Sequence, residues 1–554
     1  MVGLRRMHMV GITTRYRVII GISLAAMAWA QVQAATSVPS QGSAYQDAVL
    51  KIQRDIEGGH LEAARSALTA ALREFPSDGG LENLAGVVDA QEGHIRLARR
   101  EFAAAIQHDP SLISAYLNLG RMLMSSGSED LTARQRAVHL YEDVLRRDPS
   151  NGTALFELAI LLEWRHQYRA SLENILHLPQ RVQQKARVQA VICADQAGLG
   201  NRNAERHAAL LMESDPHLTE QDVMLAFPEL RIAHQATMIA TLLTAANQHR
   251  PLSIQGLRLL GLAEEAEGKL ISAQTTLKRV YAMDPSSAVP LVDLTRIALE
   301  EKDYKAALGY LAHARALEPE NASFAYEYGL ICVKLGLLDE TITAMHDAVQ
   351  LAPGNPSYNL SLGIIASFGA NPSEAIPYLQ KYHAMRPKDP TGLLALGTGL
   401  FRDGQLKEAS LWLYKAARFQ ATEARARYYL GRILNADGHY HQALEQLLES
   451  ADAEGVRADV YTEIGKAYMH LKAYGRAEKA LNMALSLDAD SYSANLALLR
   501  LYSFMRDPRR TNQLKRFLAV RKEKQKAYLD ALRTVNARPL SEMTASQSNT
   551  SFER

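Results

Sequence analysis

The chain has 554 residues, of which 47% are hydrophobic and 22% are charged, and this composition excludes an intrinsically disordered protein. The formal net charge is +2, but the first 34 residues contain four arginines and no acidic residue, so the rest of the chain carries a formal charge of −2. A nearly neutral body lacks the strongly basic domain that is typical of nucleic-acid binding, and we expect no nucleic-acid partner.

Residues 1–34 have the pattern of a secretory signal peptide. Arg15 and Arg17 precede an apolar run over residues 18–30, and the sequence 32–34 supplies small residues before a cleavage site after Ala34. The run is shorter than the 18 or more residues that a membrane-spanning helix needs. We therefore expect an exported protein, periplasmic or secreted, that does not span a membrane after cleavage. The alternative is an uncleaved amphiphilic anchor.

A period of 34 residues organises most of the chain. Within it, an apolar residue followed by glycine recurs, as in Leu362-Gly363, Leu396-Gly397 and Leu430-Gly431. Prolines at the same step mark the ends of the units: Pro285, Pro319, Pro353 and Pro387. A constant period of this length predicts one helical unit stacked many times.

The residue classes inside each period resemble those of the tetratricopeptide-repeat family. The family pattern W-x2-L-G-x2-Y, A-x3-F, P is matched in its first part by Tyr461, Ile464, Gly465 and Tyr468, and in its second part by Ala98, Phe102 and Pro110. The resemblance covers residues 45–505. It implies an all-α fold, a right-handed superhelix (α-solenoid) of stacked antiparallel helix pairs with about twelve repeats and a C-terminal capping helix.

The units fall into two arrays in chain order. An N-terminal array at 45–250 includes stretches at 168–179 and 217–250 that keep helical periodicity but lose the glycine and proline marks. We interpret these stretches as degenerate units, and the second as a bend or break before the C-terminal regular array at 251–505.

The only cysteines, Cys193 and Cys332, are 139 residues apart and therefore several units apart. We expect them to stay unpaired and to lie in the apolar core.

The end of the chain is polar and basic. Residues 512–535 predict one long helix rich in lysine and arginine, within a basic capping segment at 506–537. A solenoid needs a terminal unit with a polar outer face, so we interpret the helix as a cap. The alternative is a contact with anionic lipid or an acidic partner. The tail at 538–554 is rich in Ser, Thr, Asn and Gln and is predicted to be disordered.

A candidate partner-binding surface follows from the resemblance, which implies that the first helix of each unit lines the inner face. The position after the glycine is occupied by Arg432, Lys466 and Arg500 in three consecutive units, with Arg425, Tyr428 and Tyr429 at neighbouring positions. Arginine and tyrosine are common at binding hot spots, so this row is a candidate site for an acidic or carboxylate-bearing segment. The alternative is that Glu463 and Asp459 neutralise the row as a solvated ion-pair face.

The sequence offers no catalytic set. Gly397, Gly399 and Gly404 only faintly resemble a phosphate loop, because no strand precedes them, and His439 with His441 makes an incomplete metal site. We expect no enzyme activity, no cofactor and no metal.

The predicted function is a protein-binding scaffold of the cell envelope that holds extended or helical segments of partner proteins during assembly or secretion. The alternative is a regulatory or periplasmic adaptor subunit of a polysaccharide export or pilus system. A third class, an enzyme, has no supporting motif. Both envelope roles rest on analogy between exported proteins of this kind, and the oligomeric state stays open.

Overall fold

The structure is a computed structural model and describes residues 43–125, 131–454 and 457–535. These residues form helices and short connections, without a strand. The predicted signal peptide at 1–34 and the predicted tail at 538–554 lie outside this part of the chain. Within it, no helix is both long enough and apolar enough to cross a bilayer.

The chain divides into two compact units, the first ending at Thr276 and the second beginning at Leu277. This division falls inside a helix, Leu270–Met283 (α15). The predicted boundary between the two arrays at 250 stays a prediction.

The first unit contains six helical hairpins, followed by α14. Its helices are α1 (Ser43–Glu57), α2 (Leu61–Glu74), α3 (Gly79–Gln91), α4 (Ile95–His108), α5 (Ile113–Ser125), α6 (Leu131–Arg147), α7 (Gly152–Trp164), α8 (Tyr168–Leu176), α9 (Gln180–Gln183), α10 (Ala186–Gly198), α11 (Arg202–Glu213), α12 (Glu220–Ile232), α13 (Ala236–His249) and α14 (Ile254–Ala266).

The second unit contains six hairpins, then a further first helix and the long terminal helix. Its helices are α16 (Val289–Glu300), α17 (Tyr304–Leu317), α18 (Ala322–Leu335), α19 (Leu338–Leu351), α20 (Pro356–Ala366), α21 (Ala375–Met385), α22 (Pro390–Arg402), α23 (Leu406–Ala416), α24 (Glu423–Ala436), α25 (Tyr440–Glu454), α26 (Ala458–His470), α27 (Tyr474–Leu487), α28 (Tyr492–Phe504) and α29 (Arg510–Val535). A short 3-10 turn at Pro372–Glu374 precedes α21.

The packing confirms the prediction of a stacked all-α solenoid in each unit. In the six hairpins of each unit the two helices pack on each other, most second helices pack on the next first helix, and most of the successive first helices also touch. The described helices give six hairpins inside each unit, and α14 with α15, which the division cuts, makes a thirteenth helix pair, close to the about twelve repeats that the sequence predicts. The degenerate stretches are helical as well, as α8 and α12–α13.

Glycine in a first helix permits close packing against its second helix. A Cβ at Gly431 would lie 2.5 Å from Cγ of Leu447, and a Cβ at Gly86 would lie 2.6 Å from the ring of Phe102. Both distances are below van der Waals contact, so these positions exclude any larger side chain. The alanines that recur in the second helices are fully buried as well: Ala64, Ala98, Ala307, Ala375, Ala409, Ala443 and Ala477.

Two local signals set the ends of the helices. Many first helices begin after a side chain that accepts a hydrogen bond from the first turn, such as Asp78 from Leu81 N and Thr219 from Asp222 N. The turn inside most described hairpins has one residue in the left-handed region, which is usually glycine but is His166, His234, Lys302 or Lys472 in others. Glycine reaches this conformation without the strain that a side chain adds.

Both cysteines lie in the core. Cys193 and Cys332 are buried and form no disulfide, as expected. Burial raises the pKa of each thiol to about 12, so both stay protonated at neutral pH.

Candidate functional site

The candidate site in the second unit centres on the guanidinium of Arg432, which lies among three aromatic rings. Cζ of Arg432 lies 4.8 Å from the ring centroid of Phe401, 5.6 Å from that of Tyr428 and 5.8 Å from that of Tyr429. The rings of Phe401 and Tyr429 meet edge to face at 5.4 Å. We call Phe401, Tyr428, Tyr429 and Arg432 the arginine–aromatic cluster. Cation–π contacts with three rings restrict the positions that the guanidinium can take.

Two neighbouring first helices build this cluster. Phe401 lies near the end of α22, and the other three residues lie on α24, where Tyr428 and Arg432 are one turn apart. Tyr428 and Tyr429 are buried. Burial raises the pKa of Tyr428 to about 12, and although the positive charge of Arg432 opposes this shift, the ring stays neutral at physiological pH.

Glu463 on α26 connects two of the three predicted cations. Its Oε1 lies 2.8 Å from Nζ of Lys466 and 3.8 Å from Nε of Arg432. Its backbone carbonyl accepts a hydrogen bond of 3.2 Å from Nδ2 of Asn435. The Glu463 side chain is nearly buried, whereas Arg432 and Lys466 are 32% and 38% exposed. One carboxylate therefore contacts both cations, and both cations remain partly exposed to solvent.

The other predicted residues are placed differently. Arg425 and Arg500 are exposed on α24 and α28, and neither forms an ion pair with another described residue. Asp459 binds Arg457, with its Oδ1 accepting from Arg457 Nε at 3.1 Å, and not the cationic row. Of the two acids that could neutralise the row, the structure thus places only Glu463 against it. Whether these six residues bind a partner stays a prediction.

Sequence reasoning missed several residues of this surface. Besides Phe401, these are Arg402, whose Cζ lies 3.5 Å from the ring centroid of Phe368, and Arg457, whose Cζ lies 5.6 Å from that of Tyr428. Phe401 and Arg402 come four and five residues after Gly397, one helical turn after the position that Arg432 holds in its own unit. Phe401 and Arg402 would have been found by extending the comparison to the next turn of each first helix.

The first unit holds a separate group of buried acids. Glu163, Asp195 and Glu229 come from three first helices, α7, α10 and α12, and all three are buried. The hydroxyl of Tyr168 donates to Glu229 Oε2 at 3.0 Å. Burial raises the pKa of Asp195 to about 8, against the opposing effect of the Ser171 hydroxyl, and the Glu229 carboxylate raises it further. Burial also raises the pKa of Glu163 far above its ordinary value, and repulsion by Asp195 and Glu229 adds to the shift.

One trio in the described chain has ligand atoms close enough to share a cation: Asp89, Glu92 and His94, with atoms within 4.8 Å of one another. Arg65 already binds both carboxylates, with its Nη2 at 2.6 Å from Asp89 Oδ1. The guanidinium supplies the positive charge that a metal would bring, so the trio is explained as an ion-pair cluster.

Comparison with known proteins finds the same repeat. A family model described as "Tetratricopeptide repeat" matches residues 292–356 and 428–494, and the second match includes most of the candidate site. The RNA polymerase-associated protein CTR9 of Caenorhabditis elegans is 23% identical over 292 residues, which cover 50% of this chain and 25% of that protein. Anaphase-promoting complex subunit 3 of Dictyostelium discoideum is 36% identical over 76 residues, 14% of this chain and 8% of that protein.

The chain thus spans a quarter or less of the length of these two curated relatives. Among solved structures, the APC/C hetero-tetramer Cut9-Hcn1 contains a chain with 15% identity and a TM-score of 0.36, covering 86% of this chain and 98% of that one. YrrB, described as a tetratricopeptide-repeat protein with an unusual peptide-binding site, has 18% identity and a TM-score of 0.25, covering 40% of this chain and 96% of that one.

Proposed function

Because the chain belongs to the tetratricopeptide-repeat proteins, we propose that it is a non-catalytic protein-binding scaffold of the cell envelope whose second unit holds an acidic segment of a partner. Proteins of this family generally act as protein-interaction scaffolds and are typically not enzymes. Stacked repeats offer a long continuous surface to an extended ligand.

The observation that carries this proposal is that the side chains of Arg432 and Lys466 are both partly exposed and restricted in their motion. Each side chain is about one-third exposed, and each has a fixed neighbour that limits its mobility: the aromatic rings at Arg432 and Glu463 at Lys466. A cation that is already ordered loses less side-chain entropy when it binds a carboxylate. Arginine also pairs with carboxylates through two parallel hydrogen bonds, which favours an acidic ligand.

The local charge supports the same ligand. Glu463 offers one negative charge to two cations, which leaves an excess positive charge beside the cluster. Arg425 adds an exposed positive charge on α24, and Arg500 adds one on α28, the next first helix after α26. An extended segment with several Asp or Glu residues, or a free carboxyl terminus, would complement this surface.

The binding test uses defined peptides and the full chain. Fluorescence anisotropy would compare an extended acidic peptide with a peptide in which Lys replaces every acid. We expect the acidic peptide to bind, and the triple variant Arg432→Ala, Lys466→Ala, Arg500→Ala to bind it at least about tenfold more weakly.

A matched control removes three exposed cations from other surfaces of the same unit: Lys407→Ala, Arg418→Ala and Lys479→Ala. It should bind the acidic peptide like the unmodified chain. Equal affinity of the acidic peptide for the triple variant and the unmodified chain would refute the proposed binding site.

The envelope location is supported by the amino-terminal sequence alone, in which arginines precede an apolar run and a small-residue cleavage site. The scaffold would serve assembly or secretion there, and the alternative role is an adaptor of a polysaccharide export or pilus system. Fractionation of the native cell with mass spectrometry of the mature amino terminus tests the location. Recovery of the uncleaved chain from the cytoplasm would contradict it.

A further inference from the structure

The outer side of α29 combines exposed leucines with unpaired cations. Phe517 and Val520 on the inner side of this helix are buried, and the ring of Phe517 lies 4.9 Å from that of Tyr492 on α28. The side chain of Gln513 donates to the backbone and side-chain oxygens of Asn495, also on α28. These contacts hold one face of α29 against the solenoid and leave the other face in solvent.

Leu514 and Leu518 lie on the solvent side. Leu514 is 43% exposed and Leu518 is 49% exposed. They are four residues apart, so they are neighbours on the helix surface. A terminal helix that served only as a polar cap would not need two exposed leucines at this place.

The cations surround these leucines. Residues three or four positions from Leu518 are its neighbours on the helix, and apart from Leu514 they are Lys515, Arg521 and Lys522. All three are exposed, and none forms an ion pair with a residue that the structure describes. From 510 to 526 the sequence has seven basic residues and one acidic residue, whereas the chain beyond residue 34 is slightly acidic as a whole.

We infer that the outer face of α29 docks on an anionic lipid surface, with Leu514 and Leu518 entering the boundary between headgroups and acyl chains while Lys515, Arg521 and Lys522 contact lipid phosphates. Charge complementarity selects this occupant, because the cations lie on both sides of the leucines and meet a plane of negative charge together. Leucine beside clustered Lys and Arg supplies the two interactions, apolar insertion and attraction to anionic headgroups, that hold helices in a membrane interface. The proposal is independent of the candidate site on the first helices and adds a second surface to the protein.

The test is flotation of the full chain with vesicles. Vesicles of phosphatidylcholine with about 30% phosphatidylglycerol should bind it, and binding should fall steeply with salt, whereas phosphatidylcholine alone should bind it weakly. All variants are prepared identically, so any contribution of the amino-terminal segment is common to them.

Two variants separate the charge from the leucines. The triple variant Lys515→Gln, Arg521→Gln, Lys522→Gln should bind anionic vesicles roughly a hundredfold more weakly, at about tenfold or less for each cation lost. The pair Leu514→Ala, Leu518→Ala should weaken binding by about tenfold or more while the salt dependence stays. The matched control Lys407→Gln, Arg418→Gln, Lys479→Gln should bind like the unmodified chain.

Circular dichroism of each variant checks that α29 stays folded, which is expected because all five substituted side chains are exposed. A tryptophan at position 518, made by Leu518→Trp, should shift its emission to the blue only with anionic vesicles. The proposal is overturned if the chain ignores anionic vesicles, if the triple charge variant binds them as well as the control, or if the chain captures an acidic peptide through α29 but no vesicle.

Discussion

Nζ of Lys466 lies 2.8 Å from Oε1 of Glu463, one turn earlier on α26. The same carboxyl oxygen lies 3.8 Å from Nε of Arg432 on the preceding first helix. Glu463 therefore holds two cations in place and also reduces the positive charge that a ligand would meet. These two effects act in opposite directions on the affinity for an acidic segment, and a single substitution can separate them.

Replacing Glu463 by Gln should strengthen the binding of an acidic peptide. The substitution keeps the shape of the side chain but removes the charge that competes for Arg432 and Lys466, and we expect a gain of about three- to tenfold, which is about 1 kcal/mol. Fluorescence anisotropy at low and high salt measures it. Glu445→Gln, at an exposed position on α25, is the control and should change little. Weaker binding of the Glu463 variant would show that ordering of the cations matters more than their charge.

Asp195 should make the first unit less stable at alkaline pH. Its folded-state pKa is about 8 and its ordinary value is 3.8, so the buried carboxyl is protonated at low pH and must ionise in the folded protein as the pH rises. The stability linked to this proton is fully present below the unfolded pKa and is lost as the pH rises through about 8. Asp195→Asn should flatten this dependence and gain on the order of 2 kcal/mol relative to the unmodified chain at pH 9.

Thermal unfolding at pH 5, 7 and 9 measures the effect of Asp195. The acidic side chains beside it, Glu163 and Glu229, both remain in the variant. A loss of stability with pH that is equally steep in the variant and in the unmodified chain would show that Asp195 is not its source.

Gly431→Ala should destabilise the second unit. Its new Cβ would overlap Cγ of Leu447 in the core, and overpacking of this kind costs about 1–3 kcal/mol. Gly475→Ala is a control on α27 of the same unit, because a Cβ there meets no atom within 4 Å. That control should be neutral or more stable by up to about 1 kcal/mol, because alanine favours the helix. Urea unfolding followed by circular dichroism compares the two variants, and an equal effect of both would contradict close packing at Gly431.

Lys302 should be a site where glycine stabilises the protein. It lies in a hairpin turn with φ of 61°, where the equivalent residue of another hairpin is Gly404 with φ of 84°. Lys302→Gly removes the strain of a side chain in the left-handed region, which we expect to gain about 0.5–1 kcal/mol. The reciprocal change Gly404→Ala should lose about 1 kcal/mol. Denaturant midpoints measure both changes, and effects of the same sign would rule out this explanation.

The period predicts most of the fold because each unit carries its own signals. Glycine in the first helix, alanine in the second and proline at the end repeat at a fixed step. These residues permit close packing or end a helix, and both effects depend only on neighbouring helices. The helices at 168–176 and 220–249 form without the glycine and proline marks, because burial of an apolar face between neighbours stabilises a helix that its own sequence marks weakly.

The candidate site was predictable only in part. A column of residues 34 apart correctly brings Arg432 and Lys466 to adjacent helices, where Glu463 binds both. Arg432 and Phe401 occupy different positions within their repeat units. Their contact therefore depends on how the two packed helices are placed along each other and not on the 34-residue period. Tyr428 and Tyr429 were expected to face a ligand, but Arg432 and Arg457 lie over Tyr428 and leave both rings buried.

Each helix in a unit packs on helices that are close to it in sequence. A newly made hairpin can therefore bury its apolar side as soon as the following helix is available, without waiting for residues hundreds of positions later. Low contact order of this kind favours rapid folding and allows folding to start at any hairpin. If the proposed export takes place in the unfolded state, the chain can regain its structure hairpin by hairpin, beginning with the end that crosses the membrane first.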